Sequence, residues 1–267
     1  MPSWHKGLAE GGEEFKSDDT LNHTFKGGIR EECSEPAFAL IHPSVWIANP
    51  HRIVRQFART ADCEDITMDG GMAFKSPHLI LIAGPNGAGK STAAPILLRD
   101  FLGVVEFVNA DTIAVGLSSF QPEKVAIHAG RIMLKRLHEL AGRMSDFAFE
   151  STLASRSFAP WISELKQNSG YLFYLVFLWL PSPEMAVARV KERVKTGGHN
   201  VSEDVVRRRY EGGLRNFFGL YRSLADGWSF YDNATVSGPR LIAKGKGNVD
   251  TEVHDPKIWA KLKGVHS

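Results

Sequence analysis

From His78 onward, apolar residues fall into short solid runs, separated by stretches in which they recur every three or four positions. Solid β-branched and aromatic runs read as strands buried on both faces, and the wider spacing reads as amphipathic helices. The first strand covers about 78–83, and a helix follows from Lys90 to about Phe101. Val104 to Val108 makes a second strand, ending in Asn109-Ala110-Asp111. A long helix spans about 122–143, capped by Ser118 or Ser119, with Pro122 at the favoured first position. Its residues Val125, Ala129, Ile132, Met133, Leu137, Leu140 and Met144 share one face. Asp146 to Glu150 is a third strand, and Phe158 to about Gln167 a helix stopped by Asn168-Ser169-Gly170.

Tyr171 to Leu180 is the fourth strand, apolar throughout as a central parallel strand should be. Ser182-Pro183-Glu184 opens a helix to about Lys195, which Thr196-Gly197-Gly198-His199-Asn200 breaks. Helical segments at about 202–211 and 213–226 follow, then strands at Trp228 to Asp232 and Leu241 to Ala243, and a terminal helix opening at Asp255-Pro256. Alternating strands and helices predict an α/β fold, a parallel sheet with helices on both faces. Such sheets bind ligands beyond the carboxyl ends of their strands.

Residues 1–75 show neither period. They are read as an N-terminal extension, expected to be poorly ordered, ahead of a domain at 76–267. Within it a short helix is expected around Arg52 to Arg59, and a small regulatory or binding segment is the competing reading. Met68 and Met72 lie just ahead of the first strand, so the functional protein is expected to begin near Met72.

The composition changes little in this picture. Of 267 residues 43% are apolar, enough for a substantial core. Thirty-two Lys and Arg against 30 Asp and Glu argue against a protein built around nucleic-acid phosphates. The longest apolar run ends at Pro181 and is half the length of a membrane span, so no membrane partner is expected. The start lacks an apolar signal core, and Cys33 and Cys63 alone suit a reducing cytoplasm better than a disulfide framework.

Chemistry enters between the first strand and its helix. Gly84-Pro85-Asn86-Gly87-Ala88-Gly89-Lys90-Ser91-Thr92 has the spacing of a phosphate-binding P-loop. Glycines let several backbone N–H groups face one anion, and the following helix aims its positive end at the same point. Lys90 would reach the β- and γ-phosphates of a nucleoside triphosphate, and the Ser91 hydroxyl would ligate Mg²⁺. The second strand delivers Asn109 and Asp111, and the third delivers Glu150, Ser151 and Thr152, to the same edge if the sheet is parallel. Phosphoryl transfer needs a carboxylate that orients the acceptor hydroxyl, and Asp111 is the candidate. Its competing role is that of a plain helix cap. Glu150 would hold Mg²⁺ through water or bind the acceptor.

Arg189 and Arg193 share one helix face, and the paired glycines at 197–198 make a hinge for a lid over about 189–211. Arg207, Arg208 and Arg209 fan around the next helix, so one or two reach any single site. His199 is a lid contact or a surface residue. The loop's wording also occurs in ABC transporter ATPases. Their LSGGQ-type signature and the strand ending in Asp-Glu are missing, since Phe147-Ala148-Phe149 leads into Glu150-Ser151.

These residues together give residues 78 to about 243 a resemblance to the zeta toxin family of P-loop kinases. The matching stretches are Gly84 to Thr92, Asn109-Ala110-Asp111, Phe149 to Leu153, and Arg189 through Val201 with the arginines at 207–209. The resemblance implies a nucleoside-kinase-like fold with Mg-ATP as donor and a sugar hydroxyl as acceptor, in characterised members the 3′-hydroxyl of UDP-N-acetylglucosamine. It matches Asp111 to the acceptor-activating aspartate, Lys90 to the P-loop lysine, Glu150 to an acid of the substrate site and Arg193 to a lid arginine. Arg189 and Arg209 match less closely, and the first 75 residues match nothing in the family. A small antitoxin protein that blocks the nucleotide site is implied as a partner. A kinase of another small metabolite and a nucleotide-dependent regulatory ATPase working through a protein partner are the alternatives.

Overall fold

The computed structural model describes residues 76–99, 102–198, 200–235 and 238–266. The expected N-terminal extension, its helix, and His199 lie outside the described residues. Among the described residues, seven strands form one sheet in the order β2-β3-β1-β4-β5-β6-β7. The first strand, β1 (His78–Ala83), is buried at all six positions between β3 (Phe147–Ser151) and β4 (Leu172–Trp179). Leu81 sits opposite Phe149 on one side and Leu175 on the other, in parallel register on both. β2 (Phe107–Val108) extends the parallel set beyond β3, and β5 (Gly227–Asp232) extends it beyond β4.

The sheet is not parallel throughout. β6 (Arg240–Lys246) and β7 (Val249–Val253) run antiparallel to their neighbours. A turn of two residues between them cannot make the crossover that a parallel pair needs. β7 went unread because Val-Asp-Thr-Glu-Val is mostly exposed and carries only two apolar side chains.

Flanking helices depart from the periodic pattern in informative places. α1 (Lys90–Ala94) continues as a π-helical turn, Pro95–Arg99, because Pro95 has no N–H to give the Ser91 carbonyl. Val104 spends its N–H on Leu98 O at 3.0 Å, so it closes that helical stretch instead of joining β2. α2 (Ala110–Leu117) had no legible stripe, since only Ala114 of it is buried. α3 (Ala126–Gly142) is entered through a 3₁₀ turn, Pro122–Val125, without a side-chain cap, so neither Ser118 nor Ser119 serves. Ala129, Met133, Leu137, Leu140 and Ala141 form its buried face, whereas Met144 lies past its end, half exposed.

α4 (Phe158–Ser169) stops at Gly170 in the left-handed conformation. α5 (Pro183–Lys195) starts as expected, with Ser182 Oγ accepting from Met185 N at 3.2 Å. α6 (Glu203–Asn216) is one helix where a break near 212 was expected. Its two glycines serve close approach, because a Cβ at Gly213 would stand 2.5 Å from the Thr152 carbonyl oxygen. The chain runs on through a π-helical turn, Phe217–Tyr221, and α7 (Arg222–Leu224).

α8 (Pro256–His266) closes the fold by placing Trp259 against an aromatic group. Its indole stacks on Trp228 with centroids 5.4 Å apart and planes at 21°, and meets Phe217, Phe218 and Phe230. Asp250 ties the same corner together, accepting from Arg222 Nη1 at 3.1 Å and from Trp259 Nε1 and Lys263 Nζ at 2.9 Å. No helix among the described residues is long and apolar enough to cross a membrane.

Candidate active site

The loop after β1 is shaped by its glycines. Gly84 has φ near 140°, and a Cβ there would overlap the Leu178 carbonyl. Gly87, at φ near 80°, packs so tightly on α5 that a Cβ would meet Ala186 O and Arg189 Cβ at 3.0 Å. Pro85 offers its carbonyl to Lys90 Nζ at 3.0 Å. Asn86 is buried, and its Oδ1 has no hydrogen-bond partner among the described residues. Ala88 N donates to Pro85 O at 3.2 Å, and the Ala88 carbonyl accepts from Asn233 Nδ2 at 2.7 Å. Gly89 caps α1 in the left-handed conformation, leaving Lys90 buried, Ser91 exposed and Thr92 half-buried.

Three strands converge on Lys90 and Ser91. Glu150, at the end of β3, accepts from Ser91 Oγ at 2.7 Å through Oε2. Its Oε1 lies 3.6 Å from Lys90 Nζ. Asn109, at the end of β2, donates from Nδ2 to the same Glu150 Oε2 at 2.8 Å. Burial pulls the Lys90 ammonium below its ordinary pKa, opposed by the charges of Glu150 and Asp111 and reinforced by Arg193. Lys90, Asp111, Glu150 and Arg193 therefore form one electrostatic neighbourhood.

Asp111 opens α2 with its side chain exposed at that edge. Facing it from α6, Arg209 is half-buried; burial lowers its pKa, Asp111 raises it and Arg208 lowers it. Arg207 instead bonds Glu184 and Glu203 on the surface, so the three arginines do fan apart. Thr152 lies in the turn after Glu150, half-buried, under Gly213 of α6. Gly198 packs on Arg193, bonding its carbonyl at 2.9 Å. Arg189 points elsewhere: its two terminal nitrogens donate to the carbonyls of Asn233 and Ala234, each at 2.8 Å.

Two residues of this edge have parts that the sequence did not reveal. Asn233 carries no local motif and works through its distance from the loop it touches. Asn109 was read as a polar residue delivered with Asp111 by the end of the second strand, but the bonds it makes to Glu150 and to the first turn of α2 were not.

A mostly parallel sheet flanked by helices, with a glycine-shaped loop after β1 and acids brought in by the next two strands on one side, is a P-loop kinase-like architecture. The chain belongs to the zeta toxin family, whose sequence profile matches residues 65–233. That match begins upstream of residue 75 and ends at the close of β5. An uncharacterised protein of Haemophilus influenzae is 35% identical over 133 residues, covering 49% of this chain and 91% of its own. Among solved structures, AvrRxo1-ORF1:AvrRxo1-ORF2 with sulphate ions is similar at a TM-score of 0.57 and 17% identity, over 85% of this chain and 79% of that one. The same pair with ATP gives 0.55 and 14%, over 83% and 71%.

Proposed function

We propose that the protein is an ATP-dependent phosphotransferase of zeta toxin type, moving the γ-phosphate to a hydroxyl of a small sugar-nucleotide such as UDP-N-acetylglucosamine. The observation that carries this reading is the placement of Glu150 against both Lys90 and Ser91, on the edge where Asp111 opens α2. A loop used only to bind nucleotide needs no exposed carboxylate there. Zeta toxin membership supports the kinase reading, and the fold shared with a protein crystallised with ATP is compatible with it.

In this reading the loop from Gly84 to Thr92 binds the triphosphate through backbone N–H groups and Lys90. The donors around Ser91 are hydroxyl and carboxylate oxygens, which suit a hard cation. Ser91 would hold Mg²⁺ with Glu150 beside it, and the bound ion would supply charge neutralisation on the phosphates. Asp111 orients the acceptor hydroxyl and receives its proton as the new O–P bond forms and the bond from Pγ to the β-phosphate oxygen breaks. Arg193 and Arg209, on the proposed lid over 189–211 with Arg189 and His199, offset charge on the transferring group. Thr152 lines the acceptor side, and Glu150 stands where the two halves meet, beside Ser91 and within reach of the acceptor.

A small antitoxin is the proposed protein partner, and the cytoplasm, where ATP is supplied, the proposed location. The test is incubation of purified protein with Mg-ATP and UDP-N-acetylglucosamine, then with a pool of cell metabolites. Phosphorylated sugar-nucleotide that vanishes in Asp111→Ala supports the reading. Product from the pool alone points to another metabolite. ATP hydrolysis indifferent to Asp111→Ala, with no phosphorylated metabolite, points to a regulatory ATPase and overturns it.

A further inference from the structure

We infer that Asn109 is a positioning residue that couples the donor half of the site to the acceptor half, an inference that rests on the kinase reading above. Its side chain is buried, 7% exposed, between the end of β2, the first turn of α2 and Glu150. At one end, Oδ1 accepts from Asp111 N at 2.7 Å and from Thr112 N at 3.4 Å. That bond pair caps the helix and fixes the turn carrying Asp111. At the other end, Nδ2 donates to Glu150 Oε2 at 2.8 Å and lies 3.4 Å from Ser91 Oγ.

Capping alone does not call for an amide here. Aspartate and serine cap helices as well as asparagine does. Neither combines an acceptor at one end with a reaching N–H donor at the other. An aspartate would place a second carboxylate against Glu150, and a serine would fall short of it. The planar amide sets the spacing between the acid that orients the acceptor and the acid beside Ser91. Glu150 is thereby held from the acceptor side rather than from the phosphate loop alone.

The two roles separate because substitutions rank differently for each. The full chain is prepared as wild type and as Asn109→Asp, Asn109→Ser and Asn109→Ala. Thermal unfolding without ligand reads the cap: Asn109→Ala loses about 2–4 °C, the scale of a lost cap, while Asn109→Asp and Asn109→Ser stay near wild type. Calorimetric binding of a non-hydrolysable ATP analogue, with Mg²⁺ and with EDTA, reads the donor. The gain in affinity that Mg²⁺ brings falls about tenfold in Asn109→Asp, on the scale of losing an outer-shell partner, with Asn109→Ser between it and wild type. If the loss of that gain follows thermal stability across the three variants, Asn109 is only a cap and the inference is overturned. An analogue that binds the wild type equally with and without Mg²⁺ overturns the metal-nucleotide reading itself, seen before any variant is read.

Discussion

Asn233 and Ala88 are 145 residues apart in the chain, yet the Asn233 side-chain amide donates to the Ala88 carbonyl at 2.7 Å. The contact braces the loop after β1 from behind, off the end of β5. Asn233 is fully buried, and its own carbonyl accepts from Arg189, so loop, β5 and α5 meet at one residue. Asn233→Ala leaves the Ala88 carbonyl unpaired in the interior, a cost of about 1–3 kcal/mol. Denaturant unfolding should show that loss, and ATP affinity should fall with it. Weaker ATP binding at unchanged stability would count against the brace.

Lys90→Met should abolish binding of ATP without lowering the melting temperature. Burial is the largest influence on this ammonium and disfavours its charge. In the wild type the folded state therefore holds its proton less tightly than the unfolded chain, and stability rises as pH climbs from the lowered pKa towards 10.5. The methionine variant should lack that alkaline rise. A melting temperature well below wild type would show that the Glu150 pairing outweighs desolvation.

Gly213→Ala should cost about 1–3 kcal/mol as an overpacked contact, although alanine favours helix. The new methyl would press on the Thr152 carbonyl at 2.5 Å. Because that turn follows Glu150, kinase turnover should fall as well. Gly219→Ala, with open space around it, is the control and should leave stability within about 0.5 kcal/mol.

Asp250→Asn should loosen the corner where β7, α7 and α8 meet. The carboxylate accepts from Arg222, Trp259 and Lys263, and an amide of the same shape loses the charge and turns a donor towards one of them. A loss of about 2 kcal/mol in denaturant unfolding is expected. ATP binding should persist, since none of these residues touches the phosphate loop. An Asp250→Asn protein that unfolds like wild type would show that the three bonds contribute nothing net.

Alkaline pH should destabilise the fold between about 10 and 12. Burial pushes the Tyr171 phenol up to about 12, helped by the charge of Asp146, and burial also takes Tyr221 to about 12. Both keep a proton that the unfolded chain gives up near 10, so the folded state binds more protons in that window. Their stabilising contribution is complete below the unfolded value and disappears as pH passes the folded one. Tyrosinate absorbance followed beside circular dichroism should show these phenols ionising only as the fold is lost. Ionisation of both near 10 with the fold intact would contradict it.

The glycine-shaped loop after β1, the alternation of strands and helices, and the convergence of Glu150 with Lys90 and Ser91 were legible in the sequence. Each depends on local spacing plus one rule about strand ends. The strand at Leu241 to Ala243 was read as well, but β7 and its antiparallel pairing with β6 were not, because the exposed polar residues of β7 carry no hydrophobic signal. The break read between the segments at 202–211 and 213–226 is absent, since a glycine breaks a helix or admits a neighbour, and only the neighbour decides. Arg189 shares a helix face with Arg193, yet its guanidinium serves two carbonyls of the turn after β5. Helical spacing tells which residues align, not how far along a partner each side chain lands.

The stacking of Trp228 on Trp259 has a spectroscopic consequence. Two indoles this close, stacked with planes at 21°, couple their electronic excitations. They should give a far-ultraviolet circular dichroism couplet, in the strong indole band, that neither ring produces alone. One ring belongs to β5 and the other to α8, so the couplet should report whether the terminal helix is docked on the sheet. The protein thus carries an optical gauge of its own closure, readable without any added dye.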